Sequence, residues 1–207
     1  MKTVTTMTEA DDAPGAGDAA RMLLVLDLDE TLIHTREKPL ARKADLKVHR
    51  LHVYLRPHVE RFMADCAQRF RMAFWSAASD DYVKVLARRL LPRGCRPEFT
   101  WGRSRCTFAM DAARVREEGF MDPSRHYGYV KRLRKLRRRG YRLERVLIVD
   151  DTPATCVHNY GNAIYVKPFE GDTADAELPA LSRYLATLAD LPDVRRLEKR
   201  GWRTAGT

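Results

Sequence analysis

Three short apolar runs in this chain stop abruptly at a polar residue: 22–26 (Met-Leu-Leu-Val-Leu) at Asp27, 72–75 (Met-Ala-Phe-Trp) at Ser76 and 146–149 (Val-Leu-Ile-Val) at Asp150. A continuous apolar run of this length suits a strand buried on both faces, as in a parallel sheet. Segments with helical spacing lie between the runs. Val59, Phe62, Met63, Cys66, Ala67 and Phe70 recur at intervals of three and four after Pro57. Tyr82, Val83, Leu86 and Leu90 do the same after a cap at Ser79 or Asp80. Strands alternating with helices specify an α/β fold, a parallel sheet covered on both faces. In such sheets the ligand crevice lies beyond the carboxyl ends of the strands, so Asp27, Ser76 and Asp150 converge on one place despite their separation in sequence.

The rest of the chain is organised around that sheet. Leu46, Val48, Val53 and Leu55 mark a second extended region, read as a hairpin arm. From Leu91 to Tyr127 the periodicity is broken by Pro92, Gly94, Pro97, Gly102, Gly119 and Pro123. Short strands are expected there near 99–101 and 106–108, followed by an irregular insertion. Val130, Leu133 and Leu136 predict a helix ended by Gly140, 163–166 predicts the last strand, and Leu178, Leu181, Leu185 and Leu188 predict a closing helix. The 207 residues suffice for one domain, assigned to 21–191 with an insertion at about 92–127. Residues 1–20, rich in Ala, Gly, Thr and Asp, read as a disordered tail without an apolar targeting core, and 192–207 as a basic tail. No apolar run approaches membrane-spanning length. The four cysteines form no Cys-x-x-Cys pair, which argues against zinc and for a reducing compartment, so a cytoplasmic protein is expected. The formal charge of +10 favours anionic partners and excludes nothing about the fold.

Asp27 and Asp29 flank a single leucine just past a strand end. Once the chain bends, both carboxylates aim at one site, where they repel each other until a divalent cation relieves the repulsion. Hard oxygen ligands of this kind suit Mg²⁺. Asp150 and Asp151 bring more carboxylate from another strand end, and Lys131 can balance a bound phosphate. Cleavage of a phosphate ester needs a nucleophile, charge neutralisation and an acid for the leaving group, and this set contains all three.

The run Asp27-Leu28-Asp29-Glu30-Thr31 resembles the first motif of the haloacid dehalogenase superfamily phosphatases. Ser76, Lys131 and Asp150-Asp151 fit the second, third and fourth motifs in order. Leu-Asp-Leu-Asp-Glu-Thr-Leu-Ile-His, Tyr-Leu-Arg-Pro-His-Val, Tyr129-Val130-Lys131 and Val-Leu-Ile-Val-Asp-Asp-Thr-Pro are similar to the FCP/SCP-type (NLI-interacting-factor-like) protein serine phosphatases, across roughly residues 22–190. The resemblance implies a Rossmann-like haloacid dehalogenase fold with a small insertion between the second and third motifs. It implies Asp27 as nucleophile and Asp29 as general acid/base. Mg²⁺ would be held by Asp27, the backbone carbonyl of Asp29, Asp151 and its neighbour Asp150. Thr31 would steady the loop, Ser76 and Lys131 would hold phosphate oxygens, and Arg103 matches an arginine near the substrate phosphate. Ser76 departs from the family's threonine but keeps the hydroxyl. The stretch 109–127 is longer than in the compact eukaryotic members.

The expected function is therefore Mg²⁺-dependent phosphomonoester hydrolysis through a phosphorylated Asp27, on phosphoserine or phosphothreonine in a protein. A phosphatase of nucleic-acid ends or small metabolites and a phosphatase-like protein-binding module are the alternatives. The basic run 131–142 reads as a solvated face. It lacks interleaved aromatics, so a nucleic-acid groove is permitted but not favoured.

Overall fold

The apolar residues of the first run are buried to the last one, because the strand they form, β1 (Met22–Leu26), lies at the centre of a sheet. The computed structural model describes residues 21–122 and 126–204. β1 pairs in parallel with β5 (Phe70–Trp75) on one side and β9 (Val146–Asp150) on the other. β10 (Ala163–Tyr165) and β6 (Thr100–Trp101) add the edges in parallel, giving the order β10-β9-β1-β5-β6. A three-stranded antiparallel sheet, in the order β2-β4-β3, is inserted after β1. It consists of β2 (Ile33–Arg36), β3 (Leu46–Val48) and β4 (Leu51–Leu55). A separate antiparallel hairpin of β7 (Thr107–Met110) and β8 (Tyr127–Val130) stands between β6 and β9, with a short helix, α3 (Ala112–Glu118), in its connection.

Strand periodicity divides the core in two. Leu24, Leu26, Phe74, Leu147 and Val149 face the three longer helices: α1 (Val59–Arg69), α2 (Asp80–Leu90) and α4 (Glu177–Leu188). Leu23, Val25, Trp75, Val146 and Ile148 face the other way, onto Phe99, Trp101, Leu133 and Leu136. The helix expected from Val130, Leu133 and Leu136 is a 3₁₀ segment, Leu133–Arg139, capped by Gly140 in the left-handed conformation (φ 82°). Val130 belongs to β8 instead. The spacing of three between Leu133 and Leu136 eclipses them on a 3₁₀ turn, which is enough to plug the sheet while Arg134, Arg137 and Arg138 stay exposed.

The carboxyl-terminal stretch is more than a basic tail. Trp202 is buried, stacks on Tyr184 and donates its Nε1–H to the Tyr165 carbonyl at 2.8 Å. Lys199 is also buried, with its ammonium donating to the carbonyls of Gly161, Val194 and Leu197. The stretch 1–20 lies outside the described residues.

One buried arginine ties the elements that frame the carboxyl ends of the strands. Arg56, between β4 and α1, donates Nε and Nη2 to the two oxygens of Asp175 at 2.8 Å each, Nη1 to the Thr31 carbonyl at 2.9 Å and Nη2 to the Lys167 carbonyl at 2.9 Å. Burial acts to raise the Asp175 pKa, but the bonds from Arg56, together with the Glu177 N–H and the nearby Lys167 charge, outweigh it and hold the carboxyl below its usual range. Removing one member of such a pair leaves the other uncompensated, so Arg56→Met should cost about 3 kcal/mol of stability at neutral pH, read from urea unfolding. A depressed folded-state pKa contributes stability that is present above the unfolded carboxyl value and disappears as pH falls through the folded one. The deficit of Asp175→Asn against the parent chain should therefore close below about pH 4. A deficit unchanged across that window would show that the ion pair does not carry it.

Candidate active site

Parallel pairing brings the predicted residues together. The Asp27 N–H donates to the Val149 carbonyl at 3.0 Å, which sets Asp27 beside Asp150 at adjacent strand ends, and the Ser76 N–H donates to the Trp101 carbonyl at 3.0 Å. After Asp27 the chain turns sharply. Leu32 and Ile33 donate their N–H groups back to the Leu28 carbonyl at 2.8 and 3.1 Å, and Glu30 adopts a left-handed backbone at φ 58°. That conformation is uncommon for a residue with a side chain. It is held here from several sides: Phe169 N–H bonds the Glu30 carbonyl at 2.7 Å, His34 Nδ1 meets the Glu30 carboxylate at 2.8 Å, and Leu28 and Leu32 are buried beneath it.

Lys131 is the electrostatic centre. Its Nζ donates to Asp27 Oδ1 at 2.6 Å and to Asp150 Oδ2 at 2.7 Å, and all three side chains are buried. Burial works against the ammonium, but Asp27 and Asp150 outweigh it and push the Lys131 pKa upward, so the charge is retained. Burial raises the Asp27 pKa well above the usual carboxyl range. Lys131 works to lower it, while Asp150 and Asp29 add to the rise. Asp150 is further fixed by the Thr155 hydroxyl at 2.9 Å and the Thr152 N–H at 2.9 Å. Asp151 accepts from the hydroxyls of Thr31 at 3.1 Å and Thr152 at 2.9 Å, and burial raises its pKa as well.

Asp29 points into a different set of partners. Its Oδ1 accepts from the Tyr82 hydroxyl at 2.7 Å and the Thr35 hydroxyl at 3.2 Å, and its Oδ2 from the Ser76 hydroxyl at 3.4 Å. The two carboxylates of the Asp-x-Asp run are thus held differently, one by a cation and one by hydroxyls. Among the described residues, carboxylate oxygens of Asp27, Asp150 and Asp151 lie within 4.8 Å of one another, a hard-oxygen donor set that fits Mg²⁺. The Asp29 carboxylate is not in that set.

Ser76 also accepts the Ala78 N–H at 3.0 Å, so the same hydroxyl shapes the turn into α2. Arg103 lies exposed at the rim, with Nε on the Ala77 carbonyl at 2.8 Å and its guanidinium 5.1 Å from the centre of the Tyr129 ring. Its loop is fixed by Asp80, which accepts from the Gly102 N–H and the Ser104 hydroxyl. Gly102 is required there, since a Cβ would come within 2.6 Å of the Asp80 Cα.

Sequence reasoning missed four members of the site. Tyr82 counts as an apolar residue in the periodicity of α2, while its hydroxyl serves Asp29. Thr35 belongs to β2, whose four residues Ile-His-Thr-Arg carry no apolar run to announce a strand. Arg56 stands inside a stretch quoted only for resemblance. Asn159 brackets Lys131 by accepting the Leu133 N–H at 3.1 Å and donating to the Lys131 carbonyl. An arginine between an extended run and a helix-starting proline was the one visible signal.

With this geometry, the chain matches the family model described as NLI interacting factor-like phosphatase over residues 22–195. It is 32% identical over 185 residues to the human CTD small phosphatase-like protein, covering 86% of this chain and 59% of the relative. It is also 32% identical over 187 residues to the human carboxy-terminal domain RNA polymerase II polypeptide A small phosphatase 1, covering 86% and 64%. The chain thus spans about three fifths of the length of these curated relatives. Among solved structures it is similar to Fcp1, described as an essential RNA polymerase II CTD phosphatase, with a TM-score of 0.51 at 16% identity, covering 76% of this chain and 45% of that one. It is similar as well to fission yeast Fcp1-R271A bound to beryllium fluoride, with a TM-score of 0.50 at 17% identity, covering 86% and 53%. These structures share the fold, a central parallel sheet of the haloacid dehalogenase type. The ordered motifs, the parallel sheet that gathers them and a family match across 22–195 together show that the chain belongs to the NLI interacting factor-like phosphatase family.

Proposed function

We propose that this chain hydrolyses phosphomonoesters, on phosphoserine or phosphothreonine in a protein, through a phosphorylated Asp27. The observation that carries the reading is the bridge from Lys131 Nζ to Asp27 and Asp150, with Asp29 held apart on hydroxyls. The relatives named as CTD phosphatases support a phosphoprotein substrate. An oxygen of Asp27 attacks phosphorus, the ester P–O bond breaks, and Asp29 gives its proton to the leaving oxygen. Water then attacks the acyl phosphate, Asp29 takes the water proton, and the P–Oδ bond breaks to release phosphate. Lys131 and the Ser76 hydroxyl hold the transferring oxygens, and Thr31 keeps Asp151 oriented. Arg103 at the rim steers the phosphate inward. Asp27, Asp150 and Asp151, with the Asp29 carbonyl, would hold Mg²⁺, which supplies neutralisation of phosphate charge when bound.

Phosphate release from a phosphoserine peptide, from a small aryl phosphate and from 3′- or 5′-phosphorylated oligonucleotides, each with Mg²⁺ and with EDTA, tests the reading. The expected result is peptide hydrolysis that EDTA abolishes. Preference for the oligonucleotides would overturn the substrate, and full activity in EDTA would overturn the metal.

A further inference from the structure

The β7–β8 hairpin carries a ladder of exposed apolar side chains that neither the sheet nor the catalytic set uses. Phe108 is 62% exposed, Met110 44%, Tyr127 38% and Tyr129 37%. The register pairs Phe108 with Tyr129 and Met110 with Tyr127, so all four project from one face. The rings touch: Phe108 lies 5.5 Å from Tyr127 and 5.3 Å from Tyr129. Residues two apart in a strand share a face. β8 ends at Val130 and runs directly into Lys131, whose buried ammonium sits on Asp27, so the ladder stands next to the catalytic set along the chain. Arg103 joins the two regions, since its guanidinium covers Tyr129 and its Nε bonds the residue after Ser76. The ladder is thus the outward continuation of the proposed phosphate site.

We propose that this face docks the substrate polypeptide itself, gripping apolar side chains that flank the phosphorylated residue. The inference rests on the phosphatase reading above and names where the rest of the substrate lies. Tyr127 precedes Lys131 by four residues, a reach of at most about 14 Å at roughly 3.4 Å per extended residue. An extended peptide has the same rise, so with its phosphate at Lys131 its residues two and four positions away meet Tyr129 and Tyr127. Those positions should carry apolar side chains. Charge complementarity assigns the near end, where Arg103 stands between phosphate and ladder. Stacked nucleic-acid bases fit less well, because Phe108 is inclined 30° to Tyr127 and 53° to Tyr129 and the fourth rung is a methionine.

Two phosphoserine peptides test this, identical except for leucine or serine at the second and fourth positions on either side of the phosphoserine. The parent chain should favour the leucine peptide in kcat/KM by at least about tenfold, a difference of about 1.4 kcal/mol. Phe108→Ser combined with Tyr127→Ser should erase that preference and leave 4-nitrophenyl phosphate hydrolysis within about twofold, as exposed substitutions rarely disturb a fold. Binding of both peptides to the Asp27→Asn chain, followed by fluorescence anisotropy, should show the same loss without turnover. Equal rates on the two peptides in the parent chain, or a preference that survives the double substitution, would overturn the docking face alone. A parallel fall on 4-nitrophenyl phosphate would reassign the face to structure. Cleavage of a 5′-phosphorylated oligonucleotide in preference to both peptides would overturn the phosphoprotein reading and the docking face with it.

Discussion

Replacing Asp27 by asparagine is expected to lower kcat on a small aryl phosphate by at least about 10³-fold, the scale seen when a nucleophile is removed, while the chain stays folded. Asparagine fills the same space between β1 and β9, and its amide oxygen can still accept from Lys131 Nζ, which keeps its second partner Asp150. What disappears is the anionic oxygen that attacks phosphorus. Stability should move the other way. An acid whose pKa is raised on folding costs nothing below its unfolded value, and its penalty grows as pH rises toward the folded value. Burial raises Asp27 in this way, so the neutral amide should leave Tm at neutral pH equal to the parent's or higher. Differential scanning calorimetry beside steady-state kinetics checks both halves. Retained turnover would sink the nucleophile assignment. Lost turnover with a collapsed Tm would leave the assignment without support.

The same contrast explains what the sequence could and could not disclose. Strands buried on both faces announce themselves as apolar runs, so β1, β5 and β9 were legible, and their polar ends pointed to Asp27, Ser76 and Asp150 before any geometry. Spacing could not say how the carboxylates are partnered. The Asp-x-Asp run looks symmetrical in sequence, yet Asp27 is held by an ammonium and Asp29 by Tyr82, Thr35 and Ser76. Tyr82 hid because helical periodicity counts its ring as core and ignores its hydroxyl. Trp202 hid because 192–207 has no periodicity to advertise burial, though one aromatic with a satisfied N–H is enough to dock a segment. Leu133 and Leu136 announce a helix ended by Gly140 without disclosing its type, since a spacing of three serves both α and 3₁₀ turns.

Lys131→Met separates an electrostatic role from a packing one, and its effects should be large on both activity and stability. Methionine fills most of the buried stem, so the loss falls on the ammonium. Asp27, Asp150 and Asp151 would then face one another with oxygens within 4.8 Å and no side-chain cation bridging Asp27 to Asp150. Leaving buried carboxylates without their partner should cost about 3–5 kcal/mol at neutral pH, and turnover should fall by at least about 10²-fold as phosphate loses its ammonium. The stability loss should depend on pH in a defined direction. Burial already raises Asp27 and Asp151, and without the lysine, which works to lower it, the folded-state pKa of Asp27 rises further. The penalty then grows as pH climbs from the unfolded carboxyl value toward that raised folded value and shrinks as the carboxyl protonates, so the Tm deficit should be smaller at pH 5 than at pH 8. Added Mg²⁺, held by the same oxygens, should recover part of the pH 8 deficit by supplying the missing positive charge. A deficit that is identical at both pH values and indifferent to Mg²⁺ would mean that Lys131 acts by filling space, and the electrostatic account of the site would have to be abandoned.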